Sequence, residues 1–383
     1  GFTIANVPGA LCGWYILRNQ SERNLLMEGQ YSALMVFFAS GVAALVSAAI
    51  GGPIGAYAFN AEVIKSLLMW WTGEWMNAMI LLPFLLALPT ASKLRSQATP
   101  ASLSGPMVLM PLIAVFLLEA ASYTVGSKVG SLVFSLPALL WCALAYPIVV
   151  TAIVTMLVFA TKIIAAQAGF MDFTPDHYLD AATFRLGVTM LILGPLSVAG
   201  SHATRTELLQ QLKYQANHDS LTSVFSRNGF VQASNALLKR LKHDKAPVAV
   251  LMLDLDHFKR VNDSYGHATG DLLLRNFSET MMQTLRPQDV LGRIGGEEFA
   301  VVLPQISAED AVIVAERLCH AVRTGNYFTT HNDPLHATVS IGVSYISHLR
   351  EGDSVEDLLR DADKALYQAK AGGRDCVKLA SIH

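Results

Sequence analysis

Apolar runs of membrane-crossing length follow one another through the first 200 residues and then stop. Crossing roughly 30 Å of hydrocarbon takes about 20 residues, and candidate spans lie near 1–17, 31–50, 62–88, 107–125, 131–146, 147–166 and 181–200. Charge divides at the same place: residues 1–200 hold 8 Lys+Arg and 8 Asp+Glu, whereas residues 201–383 hold 20 and 22. The overall content of 52% apolar and 15% charged residues is therefore an average over a lipid-embedded half and a water-soluble half. A net charge of −2 gives no ground for nucleic-acid binding. Cys12, Cys142, Cys319 and Cys376 fall two per half without metal or redox spacing, which argues for buried thiols.

Seven spans are expected, with the stretch from Ser131 to Lys162 open to two readings: one long tilted helix, or two shorter helices broken around Pro147. Loop charges decide the number. With the charged half in the cytoplasm, seven spans put Arg18 and Arg23, then Lys93 and Arg95, inside, and leave Asp172, Asp176 and Asp180 outside. Six spans would move the Lys93/Arg95 loop outside, against the positive-inside rule. Seven spans also place residue 1 outside, and the abrupt opening on Gly1 leads to the expectation of a further helix upstream or of a cleaved signal peptide. The small-residue helix up to Gly51-Gly52 and the pattern Trp70-Trp71-Thr72-Gly73-Glu74-Trp75, followed by Leu82-Pro83, resemble the first family of bacterial membrane-associated sensor domains, MASE1, whose members usually have eight helices. The tryptophans are expected as an aromatic belt at the membrane interface. Glu74 and Glu119 fall within expected spans, where an unpaired carboxylate is costly, so each is a candidate for contact with a signal or for pairing between helices.

Residues 201–217 are polar, with Leu208, Leu209, Leu212 and Ala216 spaced three and four apart. This narrow stripe suits a short parallel coiled coil holding two copies together, or an amphipathic helix packed on its own domain. Beyond it, helices are expected near 228–242, 257–265, 269–284, 307–324 and 354–371, and strands at 247–255, 289–294, 298–303, 335–345 and 375–379. The fold class is thus a multi-helix transmembrane bundle (1–200), a short coiled-coil-like connector (201–217) and an α/β domain (218–383) with helices on a mainly antiparallel sheet.

Asp254-Leu255-Asp256-His257-Phe258-Lys259 closes a strand that is apolar from Val248 to Leu253, so Asp254 is exposed but rigidly held. Gly295-Gly296-Glu297-Glu298-Phe299 sits at the centre of the expected hairpin. Paired glycines permit positive φ angles and close approach of a ligand. Two adjacent carboxylates repel each other unless a cation lies between them, and hard oxygen ligands suit Mg²⁺.

Asp254-x-Asp-x-Phe258-Lys259-x-x-Asn262-Asp263, Tyr265-Gly266-His267-x-x-Gly270-Asp271, Arg293-x-Gly-Gly-Glu-Glu-Phe299 and Ala369-Lys370-x-x-Gly373-Arg374 occur in order. Together they resemble the GGDEF family of diguanylate cyclases over residues 214–380. The resemblance implies a palm-like α/β domain related to nucleotidyl cyclases, and condensation of two GTP into cyclic di-GMP and two pyrophosphates. It implies that Asp254, the Leu255 carbonyl and Glu297 hold two Mg²⁺ or Mn²⁺ per active site, with Glu298 assisting metal binding or deprotonation of the 3′-hydroxyl. Asn262 and Asp271 are expected to read guanine, since a carboxylate accepts from the N1–H and N2–H₂ edge that adenine lacks. Lys259, Lys370 and Arg374 are expected to neutralise triphosphate charge. Phe258, His267, Gly295 and Gly296 complete the expected nucleotide pocket, His267 and Arg293 in supporting roles.

One site holds one GTP, so the resemblance also implies a homodimer, in which the attacking 3′-hydroxyl and the attacked α-phosphate come from different subunits. Arg286-Pro287-Gln288-Asp289, with Arg286 eleven residues before Glu297, resembles the family's inhibitory product site, and Arg317 falls at its supporting arginine. The opening Asp219-Ser-Leu221-Thr222-Ser223-Val224-Phe225-Ser226-Arg227 departs from the family pattern: Ser223 replaces a turn glycine and Ser226 an asparagine. The expected protein is an enzyme of the bacterial inner membrane with its GGDEF domain in the cytoplasm. Two rivals are a catalytically silent sensor of GTP or cyclic di-GMP, and a transporter with a regulatory tail. Retention of both metal carboxylates weighs against the first, and the absence of obvious repeats among the spans against the second.

Overall fold

The computed structural model describes residues 2–88, 106–124, 129–168 and 177–380. Lys93, Arg95, Asp172 and Asp176 lie outside the described residues, so the loop-charge reading stays with the sequence. The chain forms two compact units, Gly1–Leu209 and Gln210–His383.

The first unit is helical: α1 (Phe2–Leu17), a one-turn α2 (Glu22–Leu25), α3 (Ser32–Phe59), α4 (Val63–Ala87), α5 (Met110–Thr124), α6 (Leu136–Ala145), α7 (Ile148–Gln167) and α8 (Tyr178–Asn217). Of these, α3, α7 and α8 are both long and apolar enough to cross a membrane. α4 has the length, but its middle carries Trp70, Trp71, Thr72, Glu74 and Asn77. Between Ser131 and Lys162 the two-helix reading holds. α6 ends at Ala145, Tyr146 is extended as a residue before proline must be, and Pro147 opens α7. The connector has no break near residue 200: α8 is one helix of 40 residues.

The tryptophans expected as an aromatic belt are tied into the neighbouring helix. Trp71 Nε1 donates to the Gly41 carbonyl at 3.1 Å, Trp75 Nε1 to the Phe37 carbonyl at 3.0 Å and Trp70 Nε1 to Ser47 Oγ at 3.1 Å, so all three peg α4 to α3. An indole N–H at lipid depth must find an acceptor, and α3, rich in Gly, Ala and Ser, comes close enough to supply it.

In the second unit α9 (Arg227–Asp244) leads into β1 (Val248–Leu255), α10 (Phe258–Tyr265), α11 (His267–Thr284), β2 (Val290–Arg293), β3 (Glu298–Pro304) and α12 (Ala308–Arg323). A two-stranded ribbon, β4 (Tyr327–Phe328) with β5 (Pro334–Leu335), precedes β6 (Val339–Ile346), α13 (Val355–Ala371) and β7 (Val377–Leu379). The expected strand at 335–345 is therefore corrected to two pieces separated at residues 336–338, a break that lets Thr338 turn its backbone and hydroxyl to Asp256.

The sheet order is β2-β3-β1-β6-β7, antiparallel except for the parallel β6–β7 pair. Every residue of β1 is buried because both faces are covered. Ala249, Leu251, Leu253 and Leu255 face the core built with α11 and α12, and Val248, Val250 and Met252 face the one built with α9 and α13. The period of two carries Asp254 to the α13 side, where Lys370 lies.

Candidate active site

β1 and β3 are in register so that Asp254 lies opposite Glu298, and the Leu255 N–H donates to the Glu297 carbonyl at 3.3 Å. The strand end and the hairpin turn thus bring Asp254, Glu297 and Glu298 to one edge. Lys370, near the end of α13, places Nζ 2.7 Å from Asp254 Oδ2.

Burial pushes the Asp254 carboxyl above its ordinary range; Lys370 and Arg374 oppose the shift, and nearby Asp256 adds to it. Burial also raises Glu297, helped by repulsion from Asp254 and Glu298 and opposed by Lys370. Two carboxyls raised by burial and by neighbouring carboxylates make a site short of positive charge. Among the described residues no three His, Cys, Asp or Glu side chains converge as a ready-made cage. Asp254 and Glu297 with the Leu255 carbonyl fit a divalent ion that takes one or two protein carboxylates and leaves its other positions to phosphate and water.

Neither glycine of the turn uses a positive φ, contrary to the sequence expectation. Glu298 Oε2 lies 2.6 Å from where a Gly295 Cβ would stand, so the carboxylate is folded over this glycine. Arg293 braces the turn from behind, donating from Nη2 and Nε to the Gly296 carbonyl at 2.6 and 3.1 Å and from Nη1 to Asp219 Oδ1 at 3.0 Å.

On the other side of Asp254, α10 and α11 meet at Gly266 (φ 81). Asn262 Oδ1 lies 1.9 Å from where a Gly270 Cβ would stand, so only glycine allows this approach. Phe258 is buried, its ring against Gly270, and serves as core packing under α10 and α11. Lys259, His267 and Asp271 are exposed on α10 and α11, and Arg374 is exposed after α13. The structure therefore gathers Asp254, Glu297, Glu298 and Lys370 and leaves Lys259, His267 and Asp271 exposed on α10 and α11.

The second cluster lies at the start of β2. The Arg286 N–H donates to Asp289 Oδ2 at 2.8 Å, and Arg317 Nη2 donates to the Thr284 carbonyl at 3.0 Å. Burial raises the Asp289 carboxyl, while Arg286 and Arg317 pull it back.

The two departures from the family opening are absorbed locally. Ser223 adopts the left-handed conformation (φ 61) that a turn glycine takes freely. Ser226 caps α9, accepting from the Gly229 N–H at 3.3 Å, a task at which serine and asparagine are nearly equal.

The sequence reading passed over Lys162, which is fully buried with Nζ 3.0 Å from Glu119 Oε2. A lysine inside an apolar run opposite a glutamate inside another was the available signal. Glu74 is reached only from α1, by Asn6 Nδ2 at 3.5 Å, among the described residues.

Residues 216–376 match the family described as diguanylate cyclase, GGDEF domain, and residues 1–207 match MASE1. The chain is 32% identical over 352 residues to the probable diguanylate cyclase DgcF of Escherichia coli O157:H7, covering 90% of this chain and 71% of that one. It is 35% identical over 273 residues to the probable diguanylate cyclase DgcF of Escherichia coli K12, covering 70% of this chain and 85% of that one. Among solved structures it is similar to the coiled coil and GGDEF domain of DgcB from Caulobacter crescentus in complex with c-di-GMP. That match has 28% identity and a TM-score of 0.44, over 46% of this chain and 92% of that one.

Proposed function

The chain belongs to the diguanylate cyclases, with a MASE1 domain ahead of its GGDEF domain, and from that premise we propose that it condenses two GTP into cyclic di-GMP and two pyrophosphates as a homodimer. The observation that carries this reading is the meeting of Asp254, Glu297 and Glu298 at one sheet edge with Lys370 on Asp254. Asp254, Glu297 and the Leu255 carbonyl would hold Mg²⁺ or Mn²⁺, two per site. When bound, the ions supply Lewis-acid charge at the α-phosphate and at the 3′-hydroxyl. Glu298, folded over Gly295, assists in holding metal or takes the 3′-hydroxyl proton. Asn262 and Asp271 read the guanine edge. Lys259, Lys370 and Arg374 neutralise the triphosphate, Lys370 exchanging Asp254 for phosphate oxygen as nucleotide and metal arrive.

Each domain carries one such site, so the two GTP are brought together by two subunits. Leu208, Leu209 and Leu212 are exposed on α8 and supply an apolar stripe for that pairing. Product inhibition acts through Arg286, Asp289 and Arg317, whose mixed charge suits the phosphates and guanine edges of cyclic di-GMP. Residues 1–200 form a seven-span sensor in the inner membrane, residues 201–217 the connector and residues 218–383 the cyclase domain on the cytoplasmic side. The test is incubation of the purified full chain in detergent with GTP and Mg²⁺. Cyclic di-GMP is expected from wild type, and from the Glu297→Gln variant about 1,000-fold less, a loss of about 4 kcal/mol in barrier lowering. No product from wild type, or equal product from the variant, overturns the reading.

A further inference from the structure

Asp256 lies two residues beyond Asp254 and is as well buried, at 8% exposure against 6%. The spacing makes it look like a second metal carboxylate, but its oxygens are already taken. Oδ1 accepts from Ser340 Oγ at 2.7 Å, and Oδ2 accepts from Thr338 Oγ1 at 2.8 Å and from the Asp375 N–H at 3.0 Å. A carboxylate offers about four acceptor positions, and three are filled here by fixed donors.

The donor from Asp375 is the informative one. Gly373, Arg374 and Asp375 all have positive φ, at 116, 67 and 46°. For the two side-chain-bearing residues this is an unfavourable conformation, which persists only where surrounding contacts impose it. Those contacts are few and specific. Asp256 takes the Asp375 N–H, while Arg323 donates from Nε to Asp375 Oδ2 at 2.7 Å and from Nη2 to the Asp375 carbonyl at 3.2 Å. At the other end the Arg374 N–H donates to the Ala369 carbonyl at 3.1 Å, closing the loop onto the end of α13. Arg374 is thereby tied by its backbone to the end of α13, and its charge is felt at Asp254.

We propose that Asp256, with Arg323 as its counterpart, is a positioning residue that imposes the left-handed Gly373–Asp375 loop and so aims Arg374 at the nucleotide's phosphate tail. The inference rests on the reading above that Arg374 meets the triphosphate. Asp256 touches no substrate in this scheme; it acts through the backbone of Asp375. Replacing it by asparagine keeps the size, but puts an amide N–H₂ on at least one of three donors.

The test uses the full chain in detergent micelles with Mg²⁺, titrated with the unreactive α,β-methylene analogue of GTP and separately with GMP. The wild type is expected to bind the analogue more tightly than GMP, because only the analogue carries the full tail. Asp256→Asn is expected to weaken the analogue about tenfold, equivalent to about 1.4 kcal/mol, and to leave GMP unchanged. Arg374→Ala is expected to do the same, and the Asp256→Asn/Arg374→Ala double variant to be no weaker than the weaker single variant. Arg323→Ala, at a half-exposed side chain, reaches the same loop from the surface and is expected to give a smaller loss confined to the analogue. Losses that multiply in the double variant overturn the inference, as does an equal loss for GMP in both the Asp256 and the Arg323 variants. Equal binding of analogue and GMP by the wild type overturns the phosphate reading and the inference with it, whereas a wild-type preference that survives Asp256→Asn overturns the inference alone.

Discussion

Each unit of the chain pairs a lysine with a carboxylate, and the two pairs differ in their surroundings. In the helical unit Lys162 Nζ lies 3.0 Å from Glu119 Oε2, with side-chain exposures of 0% and 15%. Its remaining donors go to the Ser131 carbonyl at 3.1 Å and Ser122 Oγ at 3.4 Å, and Tyr123 Oη donates to Glu119 Oε1 at 3.2 Å. In the cyclase unit Lys370 Nζ lies closer to its partner, 2.7 Å from Asp254 Oδ2, but the lysine is 33% exposed. No other hydrogen bond holds Lys370 among the described residues. The Lys162–Glu119 pair, with the lysine fully buried, is a structural tie between α5 and α7; on the proposed reading, the short pair with one open partner is a counter-charge that a nucleotide and its metal would replace. Distance alone would have ranked them the other way.

The two lysines can be tested separately. Lys162→Met leaves Glu119 without its cation inside the bundle, and is expected to cost about 3–5 kcal/mol of stability, read as a fall in the detergent-micelle melting temperature. The Lys162→Met/Glu119→Leu double variant is expected to recover most of it, and a double variant as unstable as the single would make the tie something other than a charge pair. Lys370→Met is expected to lower turnover about 100-fold, near 2.7 kcal/mol, while the melting temperature in Mg²⁺ stays that of wild type, because a divalent ion takes over the role of the ammonium. A large melting loss there would erase the distinction between the two lysines.

Smaller effects sharpen it. Arg286 is exposed beside Asp289, and on the proposed reading its charge serves the product. At cyclic di-GMP concentrations that slow wild type about tenfold, about 1.4 kcal/mol of product binding, Arg286→Ala is expected to keep its initial rate. The smallest effect concerns Asp219. Burial opposes its ionisation, but hydrogen bonds from Thr222 and Arg293 and the Arg293 charge outweigh it and hold its carboxyl below the usual range. A depressed carboxyl stabilises the fold above its unfolded pKa, and that contribution is lost as pH falls through the ordinary carboxylate range toward the lower folded value. Acid unfolding followed by far-ultraviolet circular dichroism should therefore begin at higher pH for Asp219→Asn than for wild type.

Much of the cyclase unit was legible because its signals are local. The apolar run ending at Asp254 had to be a strand covered on both faces, and the break at Gly295-Gly296 had to be a turn. What the sequence did not reveal was pairing across distance. Asp256 looks like Asp254 in a motif, and only Thr338, Ser340 and Asp375, more than 80 residues away in the chain, separate the two roles. The strand at 335–345 read as continuous because its residues suit strands; the hydroxyl demand of Asp256 breaks it. In the helical unit the apolar runs gave the helices but not their contacts, since tryptophans at an interface and tryptophans pegged into a neighbouring helix have the same spacing.

The break at Tyr146-Pro147 bears on how the protein enters its membrane. Ten helical residues, Leu136–Ala145, extend about 15 Å, half of the roughly 30 Å of hydrocarbon. Freed backbone groups at such a break are tolerated only where protein surrounds them, and here Thr151 Oγ1 donates to the Cys142 carbonyl at 3.3 Å while the Tyr146 hydroxyl donates to the Val108 carbonyl. A half-length segment with these obligations is a poor candidate for release into lipid on its own. It is better delivered together with α7, as a pair, after the segment bearing Val108 is already in place, which makes membrane insertion of this stretch an act of folding.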